Sequence, residues 1–314
     1  MPSYTHLAYR RNAKAAARNQ QIKKPKNAEL LKKAREDFGF FCEYVADKPP
    51  AEHHQHWHRH FVTDQDSSCL IKIAGPNVDL LAPRGSAKST VLGLLTAWAI
   101  GIHTHEKLPL QILYLSYTVD IARSKSATIK RIIESKRYQE VFPSVRLLKN
   151  VTSNEYWSID HKFAGIDTTG EEQFTLCAAG LKGSVTSKRS HLVMIDDAIK
   201  SAADIANPDI RKQMQENWNA VIAPTMFEGA RAICLGTRFR HDDIHSTTFN
   251  EQNNWSQIVL SAILNDPETG DEKSYWPEMW SLDYLKEKKR QAPIAFSFQY
   301  MNQVVRQNEL SLAP

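Results

Sequence analysis

The run Leu80-Leu81-Ala82-Pro83-Arg84-Gly85-Ser86-Ala87-Lys88-Ser89-Thr90 constrains this chain more than any other stretch. Val78–Leu81 predicts a short strand, and Thr90–Ile100, apolar through Leu94, Leu95, Ala97 and Trp98, predicts a helix. The turn Pro83-Arg84-Gly85-Ser86 therefore joins a strand to a helix N-terminus, where consecutive backbone N–H groups converge on an anion. In that geometry Lys88 reaches β- and γ-phosphates and the Ser89 hydroxyl completes a Mg²⁺ shell. The candidate nucleotide contacts are Pro83, Arg84, Gly85, Ser86, Ala87, Lys88, Ser89 and Thr90. The usual GxxxxGK[ST] pattern is not met, because Ala82 and Ala87 stand at its two glycine positions and Gly85 falls inside the loop. A plain surface turn ahead of an amphipathic helix is the alternative reading.

A second element strengthens the first. His191-Leu192-Val193-Met194-Ile195-Asp196-Asp197 reads as a buried strand that delivers two carboxylates at its C-terminal end, the edge where open parallel sheets bind ligands. Asp196 is placed to hold Mg²⁺, directly or through water, and Asp197 to orient and deprotonate an attacking water. The same pair could instead cap a helix beginning at Ala198-Ile199. Ala232-Ile233-Cys234-Leu235-Gly236-Thr237-Arg238 is a further strand, ending where Thr237 could sense a γ-phosphate; its plain reading is a strand and a turn. Arg84 can swing over developing phosphoryl charge, or serve only as a solubilising or salt-bridging residue.

Around these motifs the pattern alternates. Leu110–Ser116 predicts a strand, Val119 to Ser135 a helix, Trp157 to Ala179 a β-rich piece and Pro208–Ala220 a helix, with a strand at Arg231–Leu235. Such alternation means an α/β fold with a mostly parallel sheet flanked by helices. Ahead of it, Leu30, Leu31, Ala34, Phe38, Phe41, Cys42 and Val45 mark one helical stripe from Ala28 to Val45, ended by Lys48-Pro49-Pro50. A short helix is expected at His53–Val62. Beyond Ile244 the periodicity weakens into turns at Asn265-Asp266-Pro267 and Glu268–Gly270. A charged helix at Ser281–Lys289 and a partly apolar segment from Phe296 to Val305 follow. The expected division is a basic arm over 1–27, a helical region over 28–62, a phosphate-loop core over 63–250 and a linker or lid subdomain over 251–314.

Charge is concentrated at one end. The chain of 314 residues carries a formal +5. Residues 1–35 hold ten Lys or Arg against Glu29 alone, which is +9 and leaves about −4 for the rest. A basic arm on a mildly acidic body suits a phosphate backbone or an acidic partner; a solvated tail is the plain reading. Cys42, Cys69, Cys177 and Cys234 form no CxxC pair, so neither zinc nor a disulfide framework is signalled and a reducing compartment is expected. No apolar run approaches the roughly 20 residues of a membrane span, and no secretory signal is apparent. His53, His54, His56, His58 and His60 include i,i+4 pairs that could ligate zinc, but no acidic residue completes an HExxH pattern and a surface helix is the better reading.

Taken together, "APRGSAKST", "GLKGSVTSKRSHLVMIDD" and "CLGTRF" resemble, in order and spacing, the ATPase domain of tailed-bacteriophage large terminase subunits. The Arg84-Gly85 pair ahead of Lys88, the paired Asp196 and Asp197, and Gly236-Thr237-Arg238 each match a motif of that family. So do Trp276-Pro277-Glu278 and the run Phe296-Ser297-Phe298-Gln299-Tyr300-Met301-Asn302. The resemblance covers roughly residues 35–305. It implies a P-loop NTPase fold of the ASCE/RecA-like class, binding ATP and Mg²⁺, with Lys88, Asp197, Arg84 and Thr237 as catalytic residues and Ser89 and Asp196 at the metal. It also implies a residue that reads the adenine edge, for which Gln55 is the candidate, and a basic residue before the acidic strand, matched by Arg189. The implied activity is ATP hydrolysis that drives double-stranded DNA into a procapsid in the host cytoplasm. The implied partners are a portal protein, a small terminase subunit and further copies of the chain in a ring. The family's nuclease domain is expected to be absent, so no nuclease activity is expected. A helicase or remodelling ATPase, or a non-catalytic nucleotide-gated DNA-binding scaffold, is the alternative.

Overall fold

The computed structural model describes residues 28–62, 76–169, 174–183, 185, 188–250 and 254–303. The basic arm over 1–27 and Cys69 therefore lie outside the described residues. The described residues begin with helices α1 (Ala28–Glu36), α2 (Phe38–Ala46) and α3 (Glu52–Phe61). The single stripe expected from Ala28 to Val45 is thus two helices. Asp37 breaks it: the Phe40 N–H donates to the Asp37 carboxylate at 2.9 Å, which starts a new helix.

Next come β1 (Asn77–Leu81), α4 (Lys88–His105), β2 (Ile112–Ser116), α5 (Val119–Glu134) and α6 (Lys136–Val141). The β-rich piece resolves into β3 (Leu147–Thr152), β4 (Tyr156–Ile159), a turn of helix α7 (His161–Ala164) and β5 (Leu176–Gly180). The acidic strand is β6 (Ser190–Asp196), followed by α8 (Pro208–Asn217) and by β7 (Met226–Gly236), which begins five residues earlier than its apolar half predicts. The chain then passes through α9 (Ile244–Thr247) and β8 (Trp255–Val259). A hairpin of β9 (Ile263–Asn265) and β10 (Glu272–Ser274) and the helices α10 (Leu282–Gln291) and α11 (Pro293–Gln299) complete it.

The main sheet has the order β3-β4-β5-β2-β6-β7-β1-β8. From β5 to β8 every pairing is parallel, and β3 and β4 add an antiparallel edge. The expected α/β architecture is therefore present, with one correction. β8 pairs with β1 along its whole length, so the sheet runs past the boundary expected at residue 250. Leu81 lies opposite Gly236, Asp196 opposite Leu235 and Ser116 opposite Asp196. The ends of β1, β7, β6 and β2 thus share one level at the carboxyl edge of the sheet.

Helices cover both faces. On one, α4 is buried along nearly its whole length between the sheet and α1, α2 and α5, with Trp98 donating to the Ala34 carbonyl at 3.1 Å. On the other, Met214, Trp218, Phe249 and Trp255 close the core. Ala262, Ile263, Tyr275, Leu285 and Phe296 form a separate small core in the C-terminal unit. Among the described residues no helix is long and apolar enough to cross a membrane.

Candidate active site

The loop leaves β1 at Ala82 and enters α4 at Lys88, joining strand to helix as the sequence predicts, with the helix beginning two residues ahead of Thr90. Its N-cap residue, Ala87, has φ 62° and ψ 22° and offers no side-chain cap, so the first-turn N–H groups of α4 lack the usual internal partner. That is the second glycine position of the usual motif, and it requires the left-handed conformation that glycine adopts without strain. An L-residue there costs about 1–2 kcal/mol. Ala87→Gly should therefore stabilise the fold by about 1 kcal/mol after the entropy of the unfolded chain is counted. A higher urea midpoint at unchanged slope would bear this out, and an unchanged or lower midpoint would count against it.

Lys88 is buried beneath the loop. Its ammonium donates to the Ala82 carbonyl at 2.8 Å, the Pro83 carbonyl at 3.1 Å and Thr237 Oγ1 at 3.2 Å, which uses all three of its N–H groups. Burial pushes its pKa below the ordinary lysine value, against the opposing charges of Asp197 and Asp196. Thr237 thus stands beside Lys88 at the carboxyl edge of the sheet.

Ser89 Oγ donates to Asp196 Oδ1 at 2.8 Å, closing the loop onto the acidic strand. Asp196 is only 1% exposed; its second oxygen accepts from Tyr114 at 3.3 Å and faces the Lys125 ammonium at 3.5 Å. Burial and the neighbouring Asp197 raise its pKa, while Lys125 and Ser89 oppose the rise. A hydroxyl and a carboxylate on adjacent elements are the hard oxygen donors that Mg²⁺ takes. Tyr114 and Lys125 escaped the sequence reading, because only the adjacency of β2, α5 and β6 brings them to Asp196. Asp197 is half-buried and has φ 51°, with its N–H donating to the Leu235 carbonyl at 2.9 Å. It ends the strand in a left-handed turn, which Asp tolerates better than most residues. Strain of this kind clusters at functional sites.

Other candidates fall elsewhere. Gln55 is exposed and donates to the Pro50 carbonyl at 3.2 Å, so it turns to the start of its own helix. Its neighbours face the loop instead: His54 Nε2 lies 2.9 Å from the Ser86 carbonyl and His53 Nε2 3.5 Å from it. Both rings pack against Trp276, 5.0 Å and 5.3 Å away. Arg231 anchors α3 here by donating to the carbonyls of Phe61 and His60. His53 and His54 are thus buried in packing, a departure from the surface helix expected for this cluster, and His56 lies against His60. Thr90 is exposed on the first turn of α4. Arg189 precedes the start of β6, about 20 Å of strand from Asp196, and lies over Phe227. It does not join this site within the chain.

The C-terminal unit caps the loop. The Arg84 N–H donates to the Gln299 carbonyl at 2.8 Å, and its guanidinium lies 3.4 Å from Gln299 Oε1. Gly85 has φ 80°, and a Cβ there would lie 2.7 Å from the Trp280 ring. Asn302 Oδ1 accepts from the Arg238 N–H at 3.2 Å. Gln299 and Asn302 belong to the terminase-like run singled out in the sequence, and here they acquire contacts.

No protein family matches the sequence, and no curated protein does. Solved structures do align with it. A variant of the Thermus phage P74-26 large terminase ATPase domain matches over 84% of this chain and 98% of its own, at 15% identity and a TM-score of 0.49. The HK97 bacteriophage large terminase matches over 88% and 55%, at 14% identity and 0.49. The large terminase of a thermophilic bacteriophage matches over 82% and 54%, at 10% identity and 0.48. The chain spans about half the length of these last two proteins. Similarity at this level leaves the site to be read from its own geometry.

Proposed function

We propose that this chain is a Mg²⁺-dependent P-loop ATPase that serves as the motor of a phage DNA-packaging terminase. The observation that carries the ATPase reading is the junction of loop and acidic strand, where Ser89 bonds Asp196 at 2.8 Å while Lys88 lies between the loop carbonyls and Thr237. Ser89 and Asp196 would hold Mg²⁺, which when bound neutralises charge on phosphate oxygens. Lys88 exchanges its carbonyl partners for phosphate oxygens, and the uncapped N–H groups of α4 receive the same anion. Asp197, next to Asp196 but not buried with it, accepts the proton of the attacking water. Thr237, hydrogen-bonded to Lys88, registers whether that lysine is engaged. Arg84, exposed at the loop tip, is the intramolecular candidate for transition-state charge.

The motor assignment rests on the ordered motifs that resemble large terminases, together with this site. Double-stranded DNA, a portal protein on a procapsid, a small terminase subunit and a ring of copies are its proposed partners, in the host cytoplasm. Mg²⁺-dependent ATP hydrolysis, followed across protein concentrations beside Lys88→Ala, tests it. Turnover should fall by at least about 100-fold in the variant. A rate per chain that rises with concentration identifies a site completed by a neighbour. Stimulation by procapsids bearing a portal, and not by DNA alone, separates a packaging motor from a helicase. Equal rates for wild type and Lys88→Ala would overturn the ATPase reading.

A further inference from the structure

A row of polar side chains crosses the sheet directly beneath the loop. Asp79 in β1 lies opposite Cys234 in β7 and opposite Gln257 in β8. Over them sits His245 of α9, with Nδ1 2.9 Å from Asp79 Oδ1. Gln257 donates to Asp79 Oδ2 and to the His245 carbonyl, both at 2.8 Å. Asp79 and His245 are both 0% exposed.

Stability alone does not account for this row. Desolvating a carboxylate and an imidazole costs several kcal/mol, and apolar residues of similar volume in a strand buried on both faces are often as stable or more so. The position of the row supplies another reason. The His245 ring packs so closely on Gly236 that a Cβ there would lie 2.7 Å from Cε1. The Gly236 carbonyl accepts from the Ala82 N–H at 3.1 Å, and the Ala82 carbonyl in turn accepts from Lys88. On the other side, the Arg238 guanidinium donates to Gln257 Oε1 at 2.8 Å. The segment Gly236-Thr237-Arg238 is therefore gripped at both ends, by the His245 ring at Gly236 and by Gln257 at Arg238. Thr237, between them, receives the Lys88 bond.

We propose that Asp79, His245 and Gln257 form a positioning unit that holds Gly236–Arg238 in register with the phosphate loop. None of the three lies among the residues assigned to the nucleotide or the metal. They act through Gly236, Thr237 and Arg238, and their consequence for turnover rests on the ATPase reading. The charged and titratable groups around His245 are Asp79 on β1, Cys234 on β7, Arg238 after β7 and Asp243 at the N-cap of its own helix. Burial opposes a charge on the ring, yet Asp79 and Asp243 together raise its pKa above the ordinary histidine value, against Arg238.

Two variants test the unit. Asp79→Asn replaces the carboxylate by an amide at nearly constant shape. Gln257→Met removes the amide and leaves the Asp79–His245 pair, so it remains informative if the first variant fails to fold. Both should bind ATP within about threefold of wild type and turn over about 10- to 100-fold more slowly, the loss expected for a small misplacement of reacting groups. Amide exchange should also quicken about tenfold over residues 82–88 and stay unchanged over 112–116. Wild-type exchange at 82–88 in either folded variant would overturn the proposal. So would one equivalent of zinc in the purified protein, since an ion held by Asp79, Cys234 and His245 would replace the hydrogen bonds invoked here. If wild type itself lacks Lys88-dependent turnover, the ATPase reading falls, while the exchange measurement still decides the positioning unit.

Discussion

Replacing Asp197 by Asn is expected to reduce ATP turnover by about 10²- to 10⁴-fold, the range that a positioned general base supplies, and to leave Mg²⁺-ATP affinity within a few-fold. The two adjacent acids should separate cleanly because their surroundings differ. Asp196 is 1% exposed and held by Ser89, Tyr114 and Lys125, so its oxygens are committed to the loop and to the side chains around the proposed Mg²⁺ position. Among the described residues, no side-chain hydrogen bond meets the Asp197 carboxylate, which leaves it open to a water. Asn is the informative replacement because it shares the tolerance of Asp for positive φ, and the turn at 51° is preserved. Asp196→Asn should show the converse, a loss of Mg²⁺-dependent nucleotide affinity. Single-turnover hydrolysis at saturating ATP, beside nucleotide binding with and without Mg²⁺, distinguishes them. Near-normal chemistry in Asp197→Asn would remove the base from the mechanism, and a reversal of the two phenotypes would exchange the roles.

What could be read in the sequence, and what could not, follows from the range of the interactions. The loop and the acidic strand were legible because their signals are local: an apolar run, then a turn or two carboxylates. Lys88, Ser89 and Thr237 follow from the same logic; in the fold Lys88 meets Thr237 and Ser89 meets Asp196. The strain at Ala87 was hidden, since glycine is the residue that marks such a conformation and it is missing. Lys125 and Tyr114 become site residues only through strand order, which sets β2 beside β6. Gln55 shows the limit of a motif carried by neighbours, for the rotation of α3 turns His53 and His54 to the loop instead. β8 leaves little sequence signal, because Trp255–Val259 is an edge strand with only Trp255 buried and lacks the continuous apolar run of the inner strands. The split at Asp37 does not show in the apolar stripe, which continues across it; only the cap marks the break.

Acidification from about pH 6.5 to pH 4 is expected to cost this fold several kcal/mol through its buried histidines. His53, His58 and His103 carry pKa values lowered from the ordinary 6.5 to about 3, about 4 and about 4, in each case chiefly by burial. In that window the unfolded chain binds their protons and the folded chain does not, so stability rises with pH and falls as pH drops. Each unit of depression is worth about 1.4 kcal/mol, which over this window gives about 3.5 kcal/mol per histidine as a ceiling. A whole domain is stable by only about 5–15 kcal/mol. His245 adds no slope there, because its raised pKa keeps it protonated in both states below 6.5; its contribution is lost only as pH rises through its folded value. The sharpest probe is His103 of α4, 3% exposed, neither of whose ring nitrogens has a hydrogen-bond partner among the described residues. His103→Leu should be at least as stable as wild type at pH 7 and should lose less stability on acidification, read from urea unfolding at half-unit steps of pH. A wild-type stability that stays flat between pH 6.5 and 4.5 would mean that these rings take up protons without unfolding, and that the packing around α4 yields more readily than its burial implies.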